Sequence, residues 1–299
     1  MERGHDHNHD DDNDSLGLQA DAATMLGRRR ALTLLGSGAV ATLLAACSSS
    51  ATKTAASTSS ASSASSASSS STPATAASTT TTAATPTTVA PSDPIPEETA
   101  GPYPGDGSNG PDVLNQSGIV RSDIRSSFGS STTTAAGVLT TIKLTIVGAT
   151  SGAPLEGAAV YLWHCDQGGN YSLYSNGVTN ENYLRGVQAA GADGTVTFTS
   201  IFPACYSGRW PHVHYEVYPS LDAAKNVRNK IATSQLALPK ATCDEVYATS
   251  GYEASVTNLS RVSLSSDMVF SDGADRETPA VTGDATNGYT VSLTVPVSS

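Results

Sequence analysis

The sequence predicts an all-β protein, an antiparallel β-sandwich with few short helices. Apolar and polar residues alternate at every second position in six segments after residue 140, which is typical of half-buried strands. These segments are 142–147, 159–163, 195–198, 212–218, 231–238 and 289–297. Glycine-containing turns at 148–152 and 192–194 separate neighbouring segments, and 239–248 predicts only a turn or two of helix. Short strands joined by such turns favour a sandwich.

The 299 residues divide into three parts by composition. Residues 1–47 form an extension that ends in a targeting signal. Residues 48–92 are almost wholly Ser, Thr and Ala and hold no aromatic side chain, so they bury too little apolar surface to offset the entropy of folding and predict a disordered tether. Residues 93–299 therefore hold the folded domain, which is long enough for one sizeable core.

The targeting signal consists of a basic cluster and a short apolar run. Arg28, Arg29 and Arg30 precede residues 31–46, and the run ends in Leu-Ala-Ala-Cys at Cys47. A basic region before a short apolar stretch indicates secretion. The arginines resemble a twin-arginine signal, and the last four residues resemble a bacterial lipobox. We expect an exported, extracytoplasmic protein with a lipid on Cys47; the alternative is an ordinary secretion signal with an incidental cysteine.

The net charge of −11 makes nucleic acids and anionic surfaces unfavourable partners. We therefore expect membrane contact only through a lipid anchor at Cys47.

Three cysteines lie beyond Cys47, which leaves one of them unpaired if two form a disulfide. Spacing does not determine which two would pair. Cys165 lies within a motif described below, so we expect the pairing to be Cys205 with Cys243.

The candidate site centres on two of the three histidines that follow the tether. His212 and His214 are two residues apart on a predicted strand, and such side chains project from the same face and can converge on one point. A His-x-His pair alone is more often two surface histidines, but the preceding loop carries Tyr206, Arg209 and Trp210. The third histidine, His164, is expected to be structural.

Four segments in this order resemble the intradiol ring-cleavage dioxygenases, the family of catechol and protocatechuate dioxygenases. Residues 98–103 are similar to its Thr-x-Gly-Pro segment, and 163–171 to its Trp-x-x-(Asn/Asp)-x-x-Gly-x-Tyr pattern. Residues 193–203 resemble its Gly-x-(Tyr/Val)-x-Phe-x-(Thr/Ser)-Ile-x-Pro run, and 209–214 its Arg-x-x-His-x-His element. The resemblance covers about 97–219.

The resemblance implies a non-haem Fe(III) centre held by two tyrosinates and two histidines. Matched position by position, the ligands are Tyr171, Tyr206, His212 and His214. Tyr174 and Tyr183 are alternatives for the first tyrosine, but Tyr171 has the Gly-x-Tyr context. Two phenolates favour Fe(III) over Fe(II). Such an enzyme would take a catechol-type diol and O2 and cleave the ring between the hydroxyls to a muconate-type diacid.

The same resemblance assigns roles. Tyr206 would be the axial tyrosinate that leaves the metal and takes up a substrate proton, and His214 the axial histidine, with Tyr171 and His212 equatorial. Arg209 would stabilise the carbanion and oxyanion that develop during cleavage.

Arg209 also has a simpler interpretation, as a surface arginine that pairs with Asp166 or Glu216. The loop from Tyr206 to His212 is shorter than in the well-known cytoplasmic members, so the pocket wall there should differ.

Two rival functions remain open from the sequence. In the first, His212 and His214 bind zinc or copper with a carboxylate such as Asp166 or Glu216. In the second, the domain is a non-catalytic extracellular binding module, because a sandwich fold does not define a function. Residues 221–299 match no motif and could supply a homodimer contact.

Overall fold

The computed structural model describes residues 88–298, and the predicted signal, Cys47 and most of the predicted tether lie outside them. The strands are β1 (Leu139–Gly148), β2 (Ala159–Trp163), β3 (Arg185–Ala189), β4 (Thr195–Ile201), β5 (His212–Tyr218), β6 (Ala232–Ala237), β7 (Ala280–Asp284) and β8 (Gly288–Val297). The helices are α1 (Lys240–Tyr247) and α2 (Glu253–Leu259), with 3-10 turns at Ala223–Lys225, Val227–Asn229, Leu264–Ser266 and Phe270–Asp272. No helix in this part of the chain is long and apolar enough to cross a membrane.

The strands form two four-stranded sheets, which confirms the predicted all-β class. The first sheet has the order β4-β1-β8-β7, and the second has the order β3-β2-β5-β6. All pairs are antiparallel except β1 with β8, which is parallel. A parallel pair needs a long connection, and the chain between β1 and β8 passes through the whole second sheet and both helices. The sandwich is therefore mainly antiparallel, as predicted, with this one parallel pair.

The core lies between the sheets and is built by the alternation seen in the sequence. Ile142, Leu144 and Ile146 of β1 are fully buried and share one cluster with Val213 and Val217 of β5. Because successive side chains of a strand point to opposite faces, the odd-numbered residues of β5 enter this core. Its even-numbered residues, His212, His214 and Glu216, therefore face the other way.

That other face of the second sheet is also covered. Trp163 of β2 packs there with Tyr171, Tyr206 and Val113, which come from loops laid across the sheet. Every residue of β5 is buried as a result. A sheet buried on both faces places polar side chains of β5 in a closed environment rather than at the surface, and the candidate site forms there.

Three elements were not predicted. β3 and β7 lack a clear alternation, and α2 has a weak helical pattern. β3 forms because it pairs with β2, and its Gly186 is needed because a Cβ there would clash with Ile124. Tertiary contacts, more than local propensity, determine such strands.

Candidate metal centre

The structure brings together the four side chains predicted to bind iron. The Nε2 atom of His212 lies 3.3 Å from the phenol oxygen of Tyr171, 3.3 Å from that of Tyr206 and 3.1 Å from Nε2 of His214. All four residues are buried, and the most exposed, Tyr206, retains 8% of its surface. Two phenols and two imidazoles therefore converge on one small volume.

Backbone and aromatic contacts orient the two histidines. The Nδ1 atom of His212 lies 2.5 Å from the carbonyl oxygen of Trp210. A carbonyl only accepts, so Nδ1 carries the proton and the lone pair of Nε2 points into the centre. The ring of His214 stacks on Trp163, with centroids 4.9 Å apart and an angle of 3°. His212 thus presents Nε2 to both phenols, and Nε2 of His214 lies beside it.

The donor set fits a cation. One Nε2 lone pair can accept a single hydrogen bond, yet three N or O atoms lie within 3.3 Å of it. A metal ion among these atoms would use their lone pairs together. Phenolate and imidazole are ligands suited to ferric iron, so the residues present fit the group that the sequence resemblance implies.

Burial favours the neutral forms of Tyr171, His212 and His214 in the absence of a cation. It raises the pKa of Tyr171 well above its ordinary value, and the neighbouring Tyr206 raises it further. Burial lowers the pKa of His212, and the positive charge of Arg209 lowers it further. Burial also lowers the pKa of His214, and the neighbouring His212 adds to that effect. Neutral imidazoles are the ligand form. A buried phenol becomes a phenolate only beside a strong positive charge such as a metal ion.

The structure distinguishes the three tyrosines considered for the first position. The Tyr174 hydroxyl donates to the carbonyl of Asn109 and accepts from the amide of Gly105, both at 2.9 Å. The Tyr183 hydroxyl donates to Asp166 at 2.9 Å. Of the three, Tyr171 is the one beside the histidines.

The loop that carries Tyr171 is held by a buried arginine that sequence analysis missed. Arg185 of β3 is 1% exposed and donates to the carbonyls of Tyr103 and Pro104 and to the hydroxyl of Tyr161. It also donates to the hydroxyl and carbonyl of Ser172, at 3.0 and 2.9 Å. These bonds fasten the residue after Tyr171 to the segment around Tyr103. A lone Arg on an unpredicted strand offers no sequence signal for this role.

The loop that carries Tyr206 is held by the two helices. The hydroxyl of Ser255 accepts from the amide of Cys205 at 3.0 Å, and Asn258 donates to the carbonyl of Cys205 at 2.9 Å. Tyr247 and Tyr252 donate to the carbonyls of Pro203 and Phe202. The segment without a recognisable motif therefore positions one of the proposed ligands.

Arg209 is not a surface residue. It is 1% exposed, its Nε donates to Asp267 at 3.0 Å, and its guanidinium also donates to Gln235 at 2.8 Å. The simpler interpretation, a surface arginine, was wrong because the side chain is buried, and Glu216, one of its two suggested partners, bonds instead to Lys230 and Tyr218. A buried guanidinium beside the histidines acts on them electrostatically.

Neither carboxylate proposed for a zinc or copper site joins the histidines. Asp166 accepts from the amides of Gly168 and Asn170 in its own loop, and Glu216 forms an ion pair with Lys230. Within residues 88–298, no three His, Cys, Asp or Glu side chains are grouped to hold a metal. The oxygen donors beside His212 are phenols.

His164 has the structural role expected of it. It is 1% exposed, and its ring nitrogens lie 2.6 Å from the hydroxyl of Ser200 and 2.7 Å from the carbonyl of Cys165. Burial lowers its pKa to about 4, so it stays neutral. Trp210 and Phe202 are buried packing residues.

The predicted disulfide between Cys205 and Cys243 is not formed. The Cys205 thiol lies 3.5 Å from the carbonyl of Arg209, and the Cys243 thiol 3.8 Å from that of Leu238. Both are core side chains, which is a common environment for cysteine. Burial raises the pKa of Cys243, and a buried thiol with a raised pKa is unreactive.

Two buried carboxyl groups, Glu98 and Glu277, have raised pKa values, and Glu98 also interacts electrostatically with Arg209. Glu98 is 8% exposed, and burial, followed by the charge of Glu277, raises its pKa to about 8. Burial also raises the pKa of Glu277, to about 7. At pH 7, Glu98 is therefore largely protonated and Glu277 about half protonated.

Glu98→Gln should stabilise the protein at alkaline pH. Because the pKa of Glu98 is raised in the folded protein, the folded state is most stable, relative to the unfolded state, while Glu98 is protonated in both. This contribution is fully present below about pH 4.5 and is lost as the pH rises towards 8. The variant should match the wild type at pH 5 and exceed it by about 1–4 kcal/mol at pH 8, since one pKa unit corresponds to about 1.4 kcal/mol. Urea unfolding at both pH values measures this. Exposed Glu156→Gln is the control, and an equal difference at both pH values would contradict the expectation.

Comparison with known proteins finds similarity at the level of a family model, a sequence stretch and the fold. Residues 110–224 match the family model Dioxygenase_C, described as a dioxygenase. A 57-residue stretch is 40% identical to chlorocatechol 1,2-dioxygenase from Rhodococcus opacus; it covers 19% of this chain and 22% of that protein. The structure is similar to an intradiol ring-cleavage dioxygenase from Tetranychus urticae, with a TM-score of 0.55 and 22% identity, over 69% of this chain and 95% of that one. The structural similarity shows that this chain shares the fold of that dioxygenase, and the matched sequence stretch spans about a fifth of the chlorocatechol dioxygenase.

Proposed function

We propose that this protein is a non-haem Fe(III) dioxygenase that cleaves catechol-type rings between their two hydroxyls with O2, giving muconate-type diacids. The observation that carries the proposal is the convergence of Tyr171, Tyr206 and His214 within 3.3 Å of Nε2 of His212. The family match supports the same reaction class.

The proposed ligands are those four side chains. Ferric iron bound by them would supply a Lewis-acidic redox centre at which a chelated diol reacts with O2. Two phenolates and a hydroxide would balance the ion's charge, which makes the low net charge of the centre compatible with its burial. Tyr171 and the two histidines are proposed to remain in place throughout.

Tyr206 is proposed to take up a proton from the substrate. Its phenolate would be a stronger base than a carboxylate, because a free tyrosine has a pKa of about 10. The hydroxyl lies in the centre, 3.3 Å from Nε2 of His212, so a diol bound there would be within reach of it.

Arg209 is proposed to stabilise negative charge that develops on the ring and its oxygens. Its guanidinium is permanently charged and excluded from water, and a fixed charge in a closed site acts more strongly than one in solvent.

Oxygen uptake tests the proposal. Iron-replete wild-type protein should consume O2 with at least one of catechol, hydroxyquinol and protocatechuate, and should show a visible tyrosinate-to-iron absorption band. Tyr206→Phe should reduce uptake by roughly 10²-fold or more, because general acid–base catalysis contributes about 10²–10⁴-fold.

The rival functions predict other outcomes. A colourless protein that retains bound metal would favour zinc. A non-catalytic module predicts that Tyr206→Phe and His212→Ala leave bound metal and ligand binding unchanged. No uptake with any of the three diols by an iron-replete sample would overturn the dioxygenase proposal.

The cellular setting is part of the proposal. Cys47 and the signal before it lie outside the described residues, and their pattern supports an exported protein anchored by a lipid on Cys47. Such an enzyme would act on aromatic diols outside the cytoplasm.

A further inference from the structure

Asp267 is a fully buried carboxylate in the segment that matches no motif. Its Oδ2 atom accepts from Nε of Arg209 at 3.0 Å and from the backbone amide of Trp210 at 2.6 Å. Its Oδ1 atom accepts from the amides of Val269 and Phe270 at 2.8 and 3.1 Å. Four donors thus satisfy one buried charge, as burial of an ion requires.

The contacts of Asp267 are anchored on both sides. Val269 and Phe270 belong to the main core between the sheets and are at most 4% exposed. On the other side, Arg209 and Trp210 belong to the short loop between Tyr206 and β5. Asp267 therefore connects the rigid core to the backbone of that loop and to its guanidinium.

A second contact restricts the guanidinium further. Gln235 of β6 accepts from a terminal nitrogen of Arg209 at 2.8 Å, and its own amide donates to the carbonyl of Thr99 at 2.8 Å. The Nε edge and a terminal nitrogen are thus held by different elements. The guanidinium is a planar fork, and paired contacts of this kind fix its direction. Without them, the long and flexible arginine side chain would sample many rotamers.

We propose that Asp267 is a positioning residue that orients the guanidinium of Arg209 toward the reacting diol. The inference rests on the proposed function, because it assigns to a residue outside the family-matched region, 110–224, a part in the same reaction. Asp267 bonds to Arg209, Trp210, Val269 and Phe270, none of which is a proposed ligand, so it would act through Arg209.

The test is a double-substitution cycle on the full chain, with Asp267→Asn, Arg209→Gln and the combination. The asparagine retains one acceptor for Val269 and Phe270 but presents an NH2 group to Arg209, so the contact is lost with little change in volume. We expect kcat for the diol that the wild type uses to fall by roughly 10²-fold with KM within about threefold, since misorientation of a catalytic group affects mainly the transition state. The combination should be no slower than Arg209→Gln alone.

Two measurements do not depend on turnover. Iron content and the visible band of Asp267→Asn should equal those of the wild type, because none of the proposed ligands is changed. In urea unfolding of the metal-free protein, the two single substitutions should be non-additive. Exposed Asp275→Asn, from the same segment, should resemble the wild type in every measurement.

The outcomes separate the two proposals. If the wild type is active, three results would overturn the role of Asp267 alone. They are an Asp267→Asn variant with the wild-type rate, an Asp267→Asn variant that loses its iron, and a double variant slower than Arg209→Gln. No uptake by the wild type would overturn both proposals. If Asp267→Asn does not fold, Arg209→Lys tests the same idea, because lysine keeps the charge but lacks the planar fork that donates to Asp267 from Nε and to Gln235 from a terminal nitrogen. Full turnover by that variant would overturn the inference.

Discussion

Replacing Tyr171 by phenylalanine is expected to abolish the visible absorption band associated with its tyrosinate and to reduce O2 uptake by roughly 10³-fold or more. The phenol oxygen of Tyr171 lies 3.3 Å from Nε2 of His212, and phenylalanine has no donor atom to replace it. Loss of one anionic ligand also leaves a trivalent ion undercompensated in a buried site. A bound metal stabilises the charge of a transition state by several kcal/mol, and loss of that stabilisation would slow the reaction by about this factor.

The measurements are iron content, visible absorption and oxygen uptake of the purified variant. Tyr174→Phe is the matched control. It removes a phenol hydroxyl from the same loop, but that hydroxyl bonds to Asn109 and Gly105 and not to the histidines. Tyr174→Phe should keep its iron and its band and lose about 1 kcal/mol of stability. If Tyr171→Phe kept the full band and Tyr174→Phe lost it, the assignment of the first ligand would be wrong.

Replacing Arg185 by methionine is expected to destabilise the protein by about 3–5 kcal/mol, the largest stability effect that the site offers. The guanidinium makes five hydrogen bonds, all within the buried site region. Methionine fills much of the volume but leaves the carbonyls of Tyr103 and Ser172 without these donors, and each unsatisfied buried group costs about 1–3 kcal/mol. Relief from burying a guanidinium offsets part of the loss.

Urea unfolding of the metal-free protein measures this effect without reference to catalysis. Exposed Arg228→Met removes the same charge from the surface and should change the stability by less than about 0.5 kcal/mol. We also expect Arg185→Met to bind iron more weakly, because Ser172 follows Tyr171 directly. Equal stability of the two variants would show that Arg185 does not fasten the loop.

The strands that sequence analysis predicted are those whose pattern is local. β1 and β5 alternate along their whole length, so their inward residues could be read directly. β3 was missed because its residues become a strand only through pairing with β2 and through the close approach of Ile124 to Gly186. The parallel pairing of β1 with β8 was missed because pairing direction depends on the connection between distant segments.

The candidate site shows the same division. His212 and His214 share a face because side chains two positions apart on a strand point the same way, and this spacing can be read from the sequence. The resemblance favoured Tyr171 for its Gly-x-Tyr context, but Tyr174 lies in the same loop, and only the contacts in the structure show that Tyr171 is the one beside the histidines. The buried partner of Arg209 was not predictable either, because Asp267 is 58 residues away in sequence.

By itself the sequence determined the β class, the shared face of His212 and His214, and the family motifs, because each depends on spacing along one segment. The tertiary structure alone decided which tyrosine meets the histidines, that Cys205 and Cys243 remain thiols, and that Arg185 and Asp267 hold the site together. These properties depend on distances between segments far apart in the chain. A loop adopts one position only when the rest of the molecule supplies partners for its buried polar groups.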